Sequence, residues 1–168
     1  MPKGFHATNS NEIAAEAGIP VGSFYAYFDD KKHLFIEVLA GYLDRLNRAA
    51  DRVAGKIYSN REEFLRELIE CMLEAHRISP EFYRESTIMR LSDPDVRKKM
   101  ADQQEAVLEM MERGFKSQSE SVENPKAAAF MVLGTLERVV HGIVFSETDI
   151  PEKSLIEEGI AMIVKYLT

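Results

Sequence analysis

At 168 residues, 45 % of them hydrophobic and 29 % charged, the chain has the profile of a globular protein with one sizeable core, or of a small domain joined to a larger one. Cys71 is the only cysteine, which excludes an internal disulfide and a cysteine-built zinc site, and its LIECML setting is that of a small buried hydrophobe. The net charge of −7 argues against a broad electrostatic grip on nucleic acid, and no apolar run approaches the roughly 20 residues that span a bilayer or form a secretory leader, so a cytoplasmic protein with no membrane partner is expected.

In chain order, Asn9 reads as an N-cap with Glu12 completing a capping box. Ile13, Ala14 and Ala17 give a short helical face, which Gly18 ends. Pro20 and Val21 open a second short helix, to Phe28. Asp29 or Asp30 caps a third. There Leu34, Phe35, Val38, Leu39, Tyr42, Leu43 and Leu46 keep the amphipathic period, which predicts a long helix to about Ile57. Ser59-Asn60 breaks it, and Phe64, Leu65, Leu68, Ile69, Met72 and Leu73 mark a fourth. Pro80 starts a short helix through Phe82 and Ile88 that ends near Ser92-Asp93-Pro94. Asp93 then caps a helix carrying Val96, Met100, Val107, Leu108, Met111 and Phe115, and the polar stretch 116–125 is expected to be a loop.

The last two helices differ in kind. From Ala127 to Phe145 the chain is apolar almost all round, interrupted by Glu137, Arg138 and His141, which predicts burial on every side. Pro151 restarts the chain into a C-terminal helix with a broad apolar face. Two such helices from each of two copies would make a four-helix bundle in a C2 homodimer, with Val132, Leu136, Val139, Val140, Ile143, Ile156, Ile160 and Ile163 as the expected interface. Met72, His76, Phe82, Met89, Met111, Phe115 and Phe130 are the candidate lining of an effector pocket, with Tyr83 and Met131 in the same apolar and aromatic set and Arg90 as a further polar anchor.

His6 and His33 lie near the N-terminal helices, while His76 and His141 fall on apolar helices as core histidines. Glu137 and His141 share a face, but no Glu-x-x-His, Gly-rich phosphate loop, nucleophile elbow or HExxH occurs. No catalytic residue, metal or cofactor is expected.

Residues 4–39, GFHATNSNEIAAEAGIPVGSFYAYFDDKKHLFIEVL, resemble the DNA-binding segment of TetR/AcrR-type one-component transcriptional regulators. The G-F-x-A-T lead-in, I-A-x-x-A-G, G-S-F-Y-x-Y-F and K-x-x-L-F follow in one register. The resemblance implies an all-α protein with a helix-turn-helix DNA-binding domain over 1–38 and a helical effector-binding and dimerisation domain over 39–168. It implies a small-molecule effector and double-stranded DNA with a near-palindromic operator. Thr8 and Asn9 would touch phosphate. Pro20, Val21, Gly22 and Ser23 would open the recognition helix, Tyr25 would reach a base or phosphate, Tyr27 a phosphate, and Lys31 or Lys32 would clamp the strand. Ile13, Phe24 and Phe28 would fill the core of the motif. Lys3, Lys31 and Lys32, with Arg45 and Arg48 further along, form the local basic face.

Two departures stand out. Val21 can meet a thymine methyl but cannot hydrogen-bond a base. Members of the family also carry a helix of about 20 residues before G-F-x-A-T, where this chain has Met1-Pro2-Lys3. The source protein is therefore expected to exceed the 19.1 kDa of this chain. The other reading is a helical dimer that binds a ligand or a protein and no DNA, and a third is an enzyme on a helical bundle.

Overall fold

The computed structural model describes residues 4–118 and 122–168. Among these the elements are a 3-10 turn at Phe5–Ala7 and eight helices: α1 (Ser10–Glu16), α2 (Val21–Tyr27), α3 (Lys31–Ala54), α4 (Arg61–Ile78), α5 (Pro80–Ser92), α6 (Pro94–Gln118), α7 (Pro125–Val144) and α8 (Glu152–Tyr166). The fold is all-α.

The helix boundaries follow local chemistry. Asn9 caps α1 in a capping box with Glu12. Asp30 caps α3 by accepting from the His33 N–H at 2.8 Å. Asn60 caps α4 through the Glu63 N–H, and Asn124 caps α7 through the Ala127 N–H. Asp93 accepts from the Asp95 and Val96 N–H groups at the start of α6. The turn between α1 and α2 places Gly18 at a φ of +68°, where a side chain would be strained. α3 ends at Ala54, three residues before the expected Ile57, on Gly55. α6 carries on through residues 116–118, the front of the expected loop, whose residues 119–121 lie outside the described residues, as does Lys3.

The boundary expected at residue 38 falls inside α3, which runs unbroken from the N-terminal segment into the body. Around it Phe35, Leu39, Tyr42 and Leu43 bury against Met89 and Val96, with Phe5, Phe82 and Tyr83 packed alongside. A second cluster joins α4, α7 and α8 through Leu65, Ile69, Leu73, Val132, Leu136, Val139, Val140, Ile160 and Ile163. α7 and α8 cross closely at Gly159, where a Cβ would come within 2.8 Å of Val139 Cγ2.

This packing corrects six of the eight residues expected at the dimer interface. Val132, Leu136, Val139, Val140, Ile160 and Ile163 are the protomer's own core, and Ile143 and Ile156 pack against it. A protein core needs the most continuous apolar stripe, and α7 and α8 give theirs to α4 and to each other. Within the single chain α7 is covered on one side only, and Phe130 and Met131 stand 59 % and 60 % exposed on the side where a partner was expected. By length and composition alone α7 is apolar enough to cross a membrane, but here it is a core helix with one open face.

Candidate DNA-binding helix and ligand cavity

α2 presents its side chains outward. Phe24 is the anchor, buried against the motif core, with Phe28 5.5 Å away ring to ring. Ile13 and Phe28 are less deeply covered than Phe24. Val21, Tyr25 and Tyr27 are exposed, Tyr27 at 78 %, and Pro20, Gly22 and Ser23 lie on the same open surface. Two tyrosines spaced i, i+2 point apart on a helix, so both being open marks a surface that no intramolecular partner covers.

The residues around α2 are engaged within the chain. The Thr8 hydroxyl donates to the Gly4 carbonyl at 3.1 Å, and the Asn9 side-chain oxygen is taken by the Glu12 N–H. Both lysines, expected to clamp phosphate, have partners within the chain. Lys31 Nζ donates to the carbonyl oxygens of Phe5 and Thr8 at 2.8 Å each and stands over the Phe5 ring. Lys32 Nζ lies 2.8 Å from Asp93 and 2.6 Å from Asp95, and those carboxylates hold its ammonium well above the usual lysine range. The sequence spacing places these lysines at a helix start, but part-buried backbone carbonyls are within reach of Lys31 and solvent-accessible carboxylates within reach of Lys32. Arg45 and Arg48 sit 14 and 17 residues into α3, roughly 20–25 Å from its start, too far to join the same face.

The body encloses a cavity of about 780 Å³ between α3, α4, α5, α6 and α7. Leu43, Leu46, Ala50 and Val53 line it from α3, Phe64, Leu68 and Met72 from α4, and Met100, Val107, Met111 and Phe115 from α6. Of the expected lining residues, Met72, His76, Met111 and Phe115 reach the cavity, as do Tyr83 and Arg90. Phe82, Met89 and Phe130 do not. Phe82 packs on Phe35 with centroids 5.1 Å apart, Met89 is 2 % exposed within the α3 cluster, and Phe130 faces outward with Met131. The sequence shows that such residues are apolar, but the helix rotation about its axis decides which space they fill.

One part of the wall is polar. Tyr83, Thr87 and Arg90 of α5 face Glu137 and His141 of α7, with His76 of α4 beside them. His76 Nδ1 lies 2.7 Å from the Met72 carbonyl, and burial pushes its pKa down. Burial and the neighbouring His76 push His141 down to about 4. Burial pushes the Glu137 carboxyl up, against the pull of Arg90, and the Tyr83 hydroxyl up to about 12. Tyr83 is the hub, its ring 4.6 Å from His76 and 5.1 Å from His141. Glu137, His141, Thr87 and the α3 stripe were not expected at the site. The i, i+4 spacing of Glu137 and His141 was the available signal. Cys71 is half-buried, lies outside the cavity lining, and has its thiol pushed up by burial.

The sequence matches the family of bacterial regulatory proteins of the tetR type over residues 2–38 and the tetracyclin repressor-like C-terminal domain over residues 62–167. The chain belongs to the TetR family of transcriptional regulators. Comparison with curated proteins finds no match. Among solved structures, the fatty acid degradation regulator FadR from Bacillus halodurans is similar at a TM-score of 0.70 and 19 % identity, over 95 % of this chain and 86 % of that one. PfmR from Thermus thermophilus, a TetR family transcriptional regulator, matches at 0.70 and 17 % identity, over 98 % and 91 %. AibR, solved with isovaleryl coenzyme A and operator DNA, matches at 0.65 and 16 % identity, over 95 % and 88 %. At these identities the likeness is one of fold. It pairs a TetR-type helix-turn-helix with a TetR-type ligand-binding domain.

Proposed function

We propose that the chain is a sequence-specific DNA-binding repressor, not an enzyme, that works in the cytoplasm as a homodimer and leaves a near-palindromic operator when a small apolar or aromatic molecule fills the cavity. Residues 1–38 serve as the DNA-binding domain and 39–168 as the effector-binding and dimerisation domain. The observation that carries this reading is the double role of α5. Tyr83, Thr87 and Arg90 line the cavity from it. Glu85 of the same helix accepts from the Phe5 N–H at 2.6 Å, and Asp93, which follows it, holds Lys32 with Asp95. A ligand that shifts α5 therefore pulls on both ends of the DNA-binding segment. The effector must bind the two arrangements with different affinity, or nothing shifts.

On DNA, Pro20, Val21, Gly22, Ser23 and Tyr25 of α2 meet base edges and backbone, and Tyr27 meets a phosphate, with Thr8 and Asn9 at the start of α1. The exposure of all but the half-buried Thr8 supports these roles. Lys31 and Lys32 act through the positions of the segments they tie. The dimer forms on the open face of α7 and α8, where Phe130, Met131, Gly134, Ala161 and Met162 border a shallow groove. AibR, solved with isovaleryl coenzyme A and operator DNA, and SmeT, solved with triclosan, support a regulator of this fold that takes a small molecule and binds DNA.

Fluorescence anisotropy tests the reading, with DNA from upstream of the gene and a scrambled duplex of equal length titrated over a salt series. Preference for the upstream DNA at physiological salt is expected. No binding, or equal and salt-fragile binding to both, would favour the helical dimer with no DNA-recognition role, for which the engagement of Lys31 and Lys32 within the chain speaks.

A further inference from the structure

The polar wall of the cavity restricts what its ligand can be, on the reading that the cavity is the effector site. Tyr83, Thr87 and Arg90 are four and three residues apart and share one face of α5. Glu137 and His141, one turn apart on α7, line the same cavity and approach that face. Arg90 and Glu137 feel each other's charge, and both act on Tyr83, yet neither closes an ion pair within 4.0 Å among the described residues. The Nε2 atom of His141 is buried and has no partner among the described residues. The neutral form is the one burial favours for both histidines. Among the described residues no three His, Cys, Asp or Glu side chains are placed to hold a metal ion, so the cluster is not a metal cage.

Of the charged lining residues, Arg61 is taken by the Leu167 carbonyl, Arg84 stands over the Phe145 ring and Glu147 pairs with Arg138, so the wall offers a ligand Arg90, the Glu137 carboxyl group and the His141 imidazole with its spare hydrogen-bonding capacity. We propose that the cavity takes a molecule with an apolar body and an uncharged head that both donates and accepts hydrogen bonds, of the primary-amide class, seated between Arg90, Glu137 and His141. A carboxylate head gains Arg90 but meets the Glu137 carboxyl, and it can enter only if that group takes up a proton. An ammonium head gains Glu137 but meets Arg90. An amide carbonyl accepts from the guanidinium while its N–H groups donate to the carboxylate, so both half-buried charges are satisfied without a third. Leu46, Phe64, Leu68, Met111 and Phe115 give the body an apolar bed.

Isothermal titration calorimetry of the full chain with decanamide, decanoate and decylamine at mildly alkaline pH tests this assignment. Decanamide should bind at least about tenfold tighter than either charged analogue. Glu137→Gln should raise the affinity for decanoate about tenfold, and Arg90→Gln should do the same for decylamine, with decanamide changing only a few-fold in both. The wild-type ranking decides the matter by itself if a variant does not fold. Decanoate or decylamine binding as tightly as decanamide, or an order unmoved in both folded variants, would overturn the head-group assignment and leave the sensor reading standing. If none of the three binds and none changes operator affinity, the assignment and the sensor reading both fall.

Discussion

Residues 9–30 take their shape from contacts a few positions apart, whereas the cavity needs side chains from five helices spread from Leu43 to His141. In the first region a capping box, one glycine at positive φ and one buried phenylalanine set two short helices and leave Tyr25 and Tyr27 in solvent. In the second, no single helix defines the site, and the wall of Tyr83, Arg90, Glu137 and His141 arises where α5 and α7 meet beside α4. Local construction keeps a recognition surface constant while the distant construction is free to change its ligand. The two are joined by few contacts, chiefly those of Glu85, Lys31 and Lys32. A small set of ties makes the coupling sensitive to single substitutions.

The contrast can be broken most severely in the body. Ile69 is fully buried in the α4–α7–α8 core, so Ile69→Ala should cost about 2–5 kcal/mol of stability in a urea melt. An equally large loss of DNA affinity in the fraction that remains folded would contradict separate construction of the two regions. Acidification should act next. Burial holds His141 at about 4, below the ordinary 6.5, so the unfolded chain binds a proton that the folded chain refuses. Stability should therefore fall as pH drops through 6.5 toward 4, by up to about 1.4 kcal/mol per pH unit, and His141→Phe should flatten that slope in thermal melts.

In the N-terminal region the expected effects are on binding. Tyr27→Ala should weaken operator binding about tenfold by anisotropy and leave the melting temperature unchanged, because its ring covers nothing. Lys31→Ala should cost about 1 kcal/mol in stability by releasing the Phe5 and Thr8 carbonyls. The salt slope of DNA binding should stay as it is, whereas a phosphate clamp would lose about one unit of it. The smallest change is expected for Lys32→Ala. Its bridge to Asp93 and Asp95 is solvent-accessible, so the melting temperature should move by no more than about 2 °C. A larger drop would mean that the two regions depend on each other for folding.

Most of the helix map was legible in the sequence because caps and periodicity are local. Asn9, Asp30, Asn60, Asp93 and Pro80 sit where helices begin, and Gly18 where one ends. The site was legible only in part. Met72, His76, Met111 and Phe115 reach the cavity, while Phe82, Met89 and Phe130 have the same character and face other neighbours. Six of the eight residues expected at the interface went to the core for a related reason. Val132, Leu136 and Ile160 are apolar enough for either a core or a partner, and the core took them, leaving Phe130, Met131 and Met162 outside.

By itself the sequence determined that the chain is all-helical, where most of its helices start, and that its N-terminal segment holds a helix-turn-helix, since each depends on residues within one or two turns. Only the tertiary structure decided which face of each helix is inside, that Lys31 and Lys32 are ties, and that Arg90, Glu137 and His141 share a wall. Those outcomes depend on the rotation and crossing of helices up to a hundred residues apart, which no local pattern encodes.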